Sequence, residues 1–189
     1  MNAVVLLGPP GSGKGTQADG LAAALGVPTI STGAIFRANL SEGTALGVKA
    51  GEFMSKGELV PDEITDAMVA DRLAQADCQD GFVLDGYPRN PAQVTALDQV
   101  LSEQGRAIVA ALEITIPDDL IVERLLGRAA KEGRADDTEP VIRNRIAVYH
   151  EQTAPVSNLY AQRGLLRSID GVGTVAEVAT RLLAAAGIS

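Results

Sequence analysis

Residues 8–17 read Gly-Pro-Pro-Gly-Ser-Gly-Lys-Gly-Thr-Gln, and their chemistry is that of a cradle for a polyphosphate. Gly8, Gly11 and Gly13 can adopt backbone angles closed to other residues, so several N–H groups can turn inward onto phosphate oxygens at a helix N-terminus. Lys14 adds a mobile positive charge for the outer phosphates, with Ser12, Gly15 and Thr16 beside it. The spacing fits the P-loop pattern, except that Gly15 follows the lysine and Thr16 comes one position late. The blander reading is a tight turn with an incidental lysine. Against it, an apolar run at 3–7 precedes the loop and an alanine-rich amphipathic stretch follows it to Gly26, which is the strand, turn and helix that the motif requires. The expected ligand is a nucleoside triphosphate.

Asp85 ends the apolar run 82–84, the pattern of a buried parallel strand whose C-terminus faces a ligand. A carboxylate there would hold magnesium through water, or, more blandly, cap a loop. The other candidates are mostly arginines, whose planar guanidinium groups grip phosphate through paired hydrogen bonds where lysine offers a point charge. Arg124 and Arg128 lie one turn apart, and spacing alone favours a solvated face over a phosphate clamp. Gln93 falls in the first turn of a helix with Asn90 as N-cap and Pro91 at its first position. Its amide can both donate to and accept from a base edge. Ser31 and Thr32 open a helix that carries Arg37, as simple caps or as ligands.

The whole chain sets bounds on these readings. Its 189 residues can bury one substantial core, and 46% hydrophobic with 21% charged residues is ordinary for a globular protein. A net charge of −8 repels nucleic acid and anionic membranes, so an anionic ligand must be caught by locally concentrated positive charge. No apolar run approaches the ~20 residues of a membrane span, and residues 1–7 lack the basic start of a signal peptide, so a cytoplasmic protein is expected. One cysteine, Cys78, excludes an internal disulfide and any zinc site built on cysteine pairs. His150, the only histidine, leaves catalytic triads and histidine metal clusters with little support and reads as a surface or packing residue. Cys78, with no basic cluster near it in sequence, reads as a packing residue at a helix end.

Positioning these groups calls for alternating strands and helices. Strands are predicted at 3–7, 27–30, 82–84, 108–116 and 165–169, each a short apolar run. Helix 15–25 should end at Gly26 in a left-handed cap. Glycines at 43, 47, 51 and 57 break the stretch 40–60 into short helical pieces, a small insertion rather than part of the main sheet. Asp62 then suits the N-cap of a helix that buries Ile64, Met68, Val69 and Leu73. Pro117 and Asp118 begin a helix burying Leu120, Ile121, Leu125 and Leu126. Residues 129–137 form a polar surface loop whose Asp137 can cap the next helix. That helix runs toward Tyr160, with a kink or break at Pro155. Thr174 and Glu177 make a capping box for a last helix packing Val175, Val178, Leu182 and Leu183 inward.

Taken together, GPPGSGKGTQ, STGAIFR, GELVPD, GFVLDGYPRN with Gln93, and GRADDTE resemble the adenylate kinase family, in order and at family-like intervals, over nearly the entire chain. The resemblance implies a three-layer α/β/α P-loop kinase with a five-stranded parallel sheet. Its core would be 1–30, 61–128 and 138–189, with a helical insertion for the monophosphate at 31–60 and a short lid at 129–137. It implies phosphoryl transfer between ATP and AMP to give two ADP, with Mg2+, by a monomer. The resemblance assigns Gly11, Ser12, Gly13, Lys14, Gly15 and Thr16 to the ATP phosphates, with Arg124, Arg128 and Gly173 also on the ATP side. Thr32, Gly33, Arg37, Gly86, Tyr87, Pro88, Arg89 and Gln93 would bind AMP, and Gly57, Glu58, Leu59 and Val60 would line its base. Lys14, Arg89, Arg124, Arg134 and Arg145 would be catalytic, Arg134 and Arg145 also touching AMP. Asp136 and Asp137 match a lid aspartate pair, and 171–173 match a turn beside the ATP adenine. The short segment between Arg128 and Arg134 offers no cysteines, so no structural zinc is expected, and GKGT is the form the family itself carries.

Two other enzymes remain in view. A UMP/CMP kinase shares the scaffold, although Thr32 and Gln93 favour adenine, and a small-molecule kinase such as shikimate kinase shares the loop but not the second nucleotide site. A catalytically silent nucleotide-binding regulator would lack a phosphate-directed arginine, yet Arg89, Arg124, Arg134 and Arg145 all stand.

Overall fold

The computed structural model describes residues 2–132 and 138–187. Strand β1 (Asn2–Leu7) leads through the glycine loop into helix α1 (Lys14–Leu25) and then β2 (Thr29–Ser31). Two short helices follow, α2 (Thr32–Ser41) and α3 (Ala45–Met54), before α4 (Asp62–Leu73), β3 (Gly81–Asp85) and α5 (Pro91–Glu103). The chain then runs through β4 (Ala110–Thr115), α6 (Asp118–Glu132), α7 (Glu139–Val148), α8 (Ala154–Gln162), β5 (Leu166–Asp170) and α9 (Val175–Ala186). The five strands are all parallel, in the order β2-β3-β1-β4-β5.

Strand periodicity builds the layers, because neighbouring side chains on β1 face opposite sides. Val5 and Leu7 join Phe82 and Leu84 beneath Leu73 of α4, Leu97 of α5 and Tyr160 of α8. Val4 and Leu6 join Val83, Leu112 and Ile114 beneath Ala18 and Leu21 of α1 and Val178 and Leu182 of α9. The strands are therefore apolar on both faces, as a helix-covered parallel sheet requires. The α2–α3 segment has a separate small core of Phe36, Ala50 and Val60. At about 1.5–3 kcal/mol per fully buried large side chain, that cluster anchors far less than the two main layers.

Several local expectations shift. Strand β2 begins at Thr29 rather than Val27, and β4 is shorter than 108–116. Pro61, not Asp62, holds the N-cap position of α4, because the Asp62 carboxylate is drawn to Asn90 and Gln93 instead. Leu126 and Val175 are solvent-exposed at 42% and 60%, since each falls off the stripe set by its buried neighbours Leu125 and Val178. Thr138 occupies the N-cap position of α7, and Asp137 lies outside the described residues. The break before Pro155 takes the form of a π-helical turn over Tyr149–Thr153, which resolves the missing proline N–H by widening the helix. The left-handed cap at Gly26 and the Thr174–Glu177 capping box both form as expected.

Candidate active site

The C-terminal ends of the parallel strands converge on one cleft of about 1170 Å3. Strand order reverses beside β1, so the crossovers diverge there and leave a crevice at the strand ends. The volume exceeds the ~300–1,000 Å3 of ordinary single-ligand pockets, which leaves room for two nucleotide-sized ligands. A side chamber of about 70 Å3 opens among Thr32, Arg37, Gly57, Val60, Gln93 and Arg145.

The loop between β1 and α1 has Gly8, Gly11 and Gly13 at φ of 137°, 75° and 97°, angles that leave its N–H groups free to turn inward. Ser12 is buried, while Thr16 and Gly15 at the start of α1 are exposed. Lys14 Nζ donates to the carbonyls of Gly8 at 2.7 Å and Pro9 at 2.8 Å, folding back over its own loop. Its pKa falls to about 8, chiefly because burial disfavours the charged form. Asp85 opposes the shift, and Arg89, Arg145 and Arg128 reinforce it. A cation so placed is poised for an anion.

Asp85 stands at the end of β3 and accepts from Ser31 Oγ at 3.1 Å. A Cβ added to Gly15 would lie 3.8 Å from Asp85 Oδ2, an ordinary van der Waals contact, so the start of α1 stands close against the carboxylate. Among the described residues no cluster of three or more metal-ligating side chains exists. One carboxylate with otherwise open coordination suits magnesium, which keeps most of its waters and takes its remaining ligands from phosphates.

The turn after β3 carries the second set of groups. The Gly86 carbonyl accepts from Thr32 Oγ1 at 2.9 Å and from Arg89 Nε at 2.7 Å, so Thr32 has spent its proton and offers a ligand only an acceptor. Gly86 has φ +81°, and a Cβ there would meet Thr32 Oγ1 at 2.8 Å and Arg89 Nη2 at 3.0 Å. Burial holds the Arg89 guanidinium below its ordinary pKa, with Asp85 pulling the other way. Tyr87 is buried and its hydroxyl donates to Asp66 at 2.8 Å, so its one polar side-chain group is held by protein. Its hydroxyl pKa rises through burial and the hydrogen bond to Asp66. Gln93 is buried, its Oε1 accepting from the Arg89 N–H at 2.7 Å and its Nε2 donating to Asp62 at 2.8 Å. Sequence reading left that amide open for a base; the structure commits half of its capacity to protein.

The arginines divide in a way that spacing could not show. Arg128 and Arg145 act electrostatically on Lys14, and both line the cleft with Arg37 and Arg89. Arg124 instead donates to the Gly171 carbonyl at 3.0 Å, on the turn that also places Gly173 in the wall. Arg124 and Arg128 are both half-buried and line the cleft, so the face they share opens onto the candidate site. Their surroundings also differ: Arg128 acts on the charge of Lys14, whereas Arg124 reaches the Gly171 turn. Arg134, Asp136 and Lys131's side chain fall outside the described residues.

Gly57 and Arg145 meet closely, since a Cβ at Gly57 would lie 2.9 Å from Arg145 Cγ and 2.8 Å from the Val141 carbonyl. Asn144 Nδ2 donates to the Lys56 carbonyl at 2.7 Å, so the end of the α2–α3 segment rests on α7 across the side chamber. Glu58 and Leu59 complete that wall, with Gly33 beneath the Arg37 guanidinium. Gln17, to which sequence gave no role, ties α1 to α9 by donating to the Val175 carbonyl at 2.9 Å. Its only sequence signal was an amide on an otherwise apolar helix face.

Away from the cleft, His150 faces Asp118 at 2.9 Å on the surface. Cys78 is fully buried, and its thiol pKa is raised by burial. Its surroundings are not free of basic groups, however, for Arg72 Nη1 lies 3.0 Å from the sulfur and Arg106 Nη1 donates to its carbonyl at 2.6 Å. Arg106 comes from 28 residues away, out of reach of local sequence reading, whereas Arg72 lies only six residues upstream.

A parallel sheet with a glycine-rich loop before α1 and a ring of arginines around a cleft of two-ligand size defines a P-loop nucleotide kinase. Sequence comparison narrows the class. Residues 6–165 match the model of the family described as adenylate kinase. The chain is 52% identical over 185 residues to an adenylate kinase of Micrococcus luteus, covering 98% of this chain and 90% of that protein. It is 53% identical over 182 residues to one of Thermobifida fusca, covering 96% of each. A third, from Xanthomonas campestris pv. campestris, is 51% identical over 184 residues, covering 97% of this chain and 98% of that protein. The chain belongs to the adenylate kinase family.

Proposed function

We propose that this protein catalyses reversible transfer of the γ-phosphoryl group of ATP to AMP, giving two ADP. The observation that carries the reading is the cleft: one phosphate loop with Lys14 faces a second, separately built set of groups in Arg37, Arg89 and Gln93. An oxygen of the acceptor phosphate attacks the γ-phosphorus as the bond to the bridging oxygen of the leaving diphosphate breaks. Such a transfer needs alignment and charge neutralisation rather than a covalent nucleophile. The loop N–H groups and Lys14 hold the donor phosphates, Arg89 and Arg37 hold the acceptor phosphate, and Arg128 and Arg145 neutralise charge between them. Arg124 steadies the donor at the Gly171 turn. By the family resemblance Arg134 joins the reacting phosphates.

Asp85 would hold Mg2+ through water, and the ion would supply charge neutralisation on the donor phosphates. Residues 31–60 are proposed to swing as a unit over the acceptor and residues 129–137, whose first four close helix α6 rather than forming loop, to act as a short lid. The first motion is supported by a chamber of 70 Å3, far below the ~300 Å3 of a working ligand pocket, which the Asn144 bond and the Gly57 contact help to close. No helix among the described residues is long and apolar enough to cross a membrane. The reading further takes the protein as a cytoplasmic monomer acting on nucleotides, without nucleic acid or membrane partners, which the family resemblance supports for the monomer and the net charge of −8 for the absence of nucleic acid and anionic membranes. The test is a coupled assay for ADP from ATP plus AMP, with and without magnesium, comparing AMP, GMP, CMP and UMP as acceptors. A preference for CMP or UMP would overturn the adenine assignment in favour of a pyrimidine kinase.

A further inference from the structure

An amide side chain recognises a base by which end it presents, and a free glutamine can rotate its terminal amide to suit either pattern. Adenine carries a donor at position 6, whereas guanine and hypoxanthine carry an acceptor there. Discrimination by Gln93 therefore depends on what prevents the flip. On one side Oε1 accepts from the Arg89 backbone N–H at 2.7 Å, a partner that can only donate. On the other, Nε2 donates at 2.8 Å to Asp62 Oδ1, part of a carboxylate that only accepts. Asp62 is itself held by Asn90 Nδ2, which reaches both carboxylate oxygens at 2.9 and 3.0 Å, while Asn90 Oδ1 caps α5 at the Gln93 N–H. Rotating the amide would set donor against donor at Arg89 and acceptor against acceptor at Asp62.

We propose that Asp62 is a specificity-determining positioning residue: it fixes the Gln93 amide in the orientation that suits adenine and disfavours 6-oxopurines. Asp62 does not line the side chamber, whereas Gln93 does, so it acts through Gln93. With one N–H and one lone pair spent on protein, the amide retains one of each. The lone pair receives the 6-amino N–H of adenine and the N–H serves an adjacent ring nitrogen. A 6-oxo group would meet the oxygen of the locked amide instead. The assignment rests on the reading that Gln93 faces the acceptor base.

The test measures kcat and KM for AMP and for inosine monophosphate, which keeps the purine shape but reverses the donor at position 6, in wild type, Asp62→Asn and Asp62→Ala. The near-isosteric Asn variant guards against loss of the fold, checked by its melting temperature. Wild type should prefer AMP strongly, and both variants should lose that preference by about tenfold or more, because alanine removes the acceptor and asparagine can turn either its oxygen or its NH2 to Gln93, so neither enforces one amide orientation. The change should appear as a raised KM for AMP and a lowered one for inosine monophosphate, with KM for ATP unmoved. An unchanged AMP-to-inosine ratio, with both acceptors weakened equally, would show Asp62 to be merely structural and overturn the proposal. A wild type indifferent between the two acceptors would instead reject the reading of Gln93 on which the proposal stands.

Discussion

Lys14 should make binding of ATP take up a proton above pH 8. In the ligand-free protein its pKa is about 8 against an ordinary 10.5, through burial and the nearby Arg89, Arg145 and Arg128. A bound triphosphate adds several negative charges at that point and restores the charged form. If the bound-state pKa lies well above 9, the fraction to be reprotonated on binding is about one half at pH 8 and about nine-tenths at pH 9. The apparent Kd should then weaken about fivefold between those two pH values. Titration calorimetry of magnesium-free ATP in two buffers of different ionisation enthalpy reads the proton count directly. Lys14→Met should abolish the uptake while also losing affinity. Uptake below about 0.2 protons at pH 9 in the wild type would refute the argument. The same shift has a sign for stability. The folded pKa lies below the unfolded one, so between pH 8 and 10.5 the unfolded chain binds more protons and this group adds stability as pH rises. At neutral pH its full cost, of the order of 3 kcal/mol, weighs on the folded ligand-free state.

Three further outcomes are expected. Arg128→Ala should lower kcat by about 100-fold or more, because it removes charge beside Lys14. Arg124→Ala should act mainly on KM for ATP, and equal kcat losses in the two variants would contradict the division of roles proposed for the two arginines. Gly86→Ala forces a Cβ to within 3.0 Å of both Thr32 Oγ1 and Arg89 Nη2 at φ +81°, so KM for AMP should rise while KM for ATP holds, as initial-rate kinetics will show. Arg106 is buried and holds the carbonyls of Cys78 and Leu73 and the side-chain oxygen of Gln104, with Phe82 against its guanidinium. Arg106→Met should strand those acceptors and destabilise the fold by about 1–3 kcal/mol for each buried carbonyl left without a partner, read by denaturant titration, with turnover at low temperature preserved. A loss below about 1 kcal/mol would mean that water replaces the arginine.

Much of the molecule is local in origin and legible from the chain alone. The glycine loop, the Asn90–Pro91 start of α5, the Gly26 cap and the Thr174–Glu177 box depend on residues a few positions apart, whose backbone preferences act wherever they are placed. Apolar runs likewise announced five strands, though not their ends: β2 begins at Thr29 because pairing with β3, not hydrophobicity, decides where a strand starts. Tertiary structure decided whatever depends on partners from distant segments. Only the fold brings Asp62 to Gln93 across 31 residues, turning an expected N-cap into a clamp on an amide. Only the packing of α6 against the β5–α9 turn separates Arg124 from Arg128, since residues one turn apart share a face but not the neighbours that the face meets. The depressed pKa of Lys14 belongs to the same class. A sequence names the lysine, but the burial and the converging arginines that make it an anion trap exist only once the sheet has gathered its strand ends.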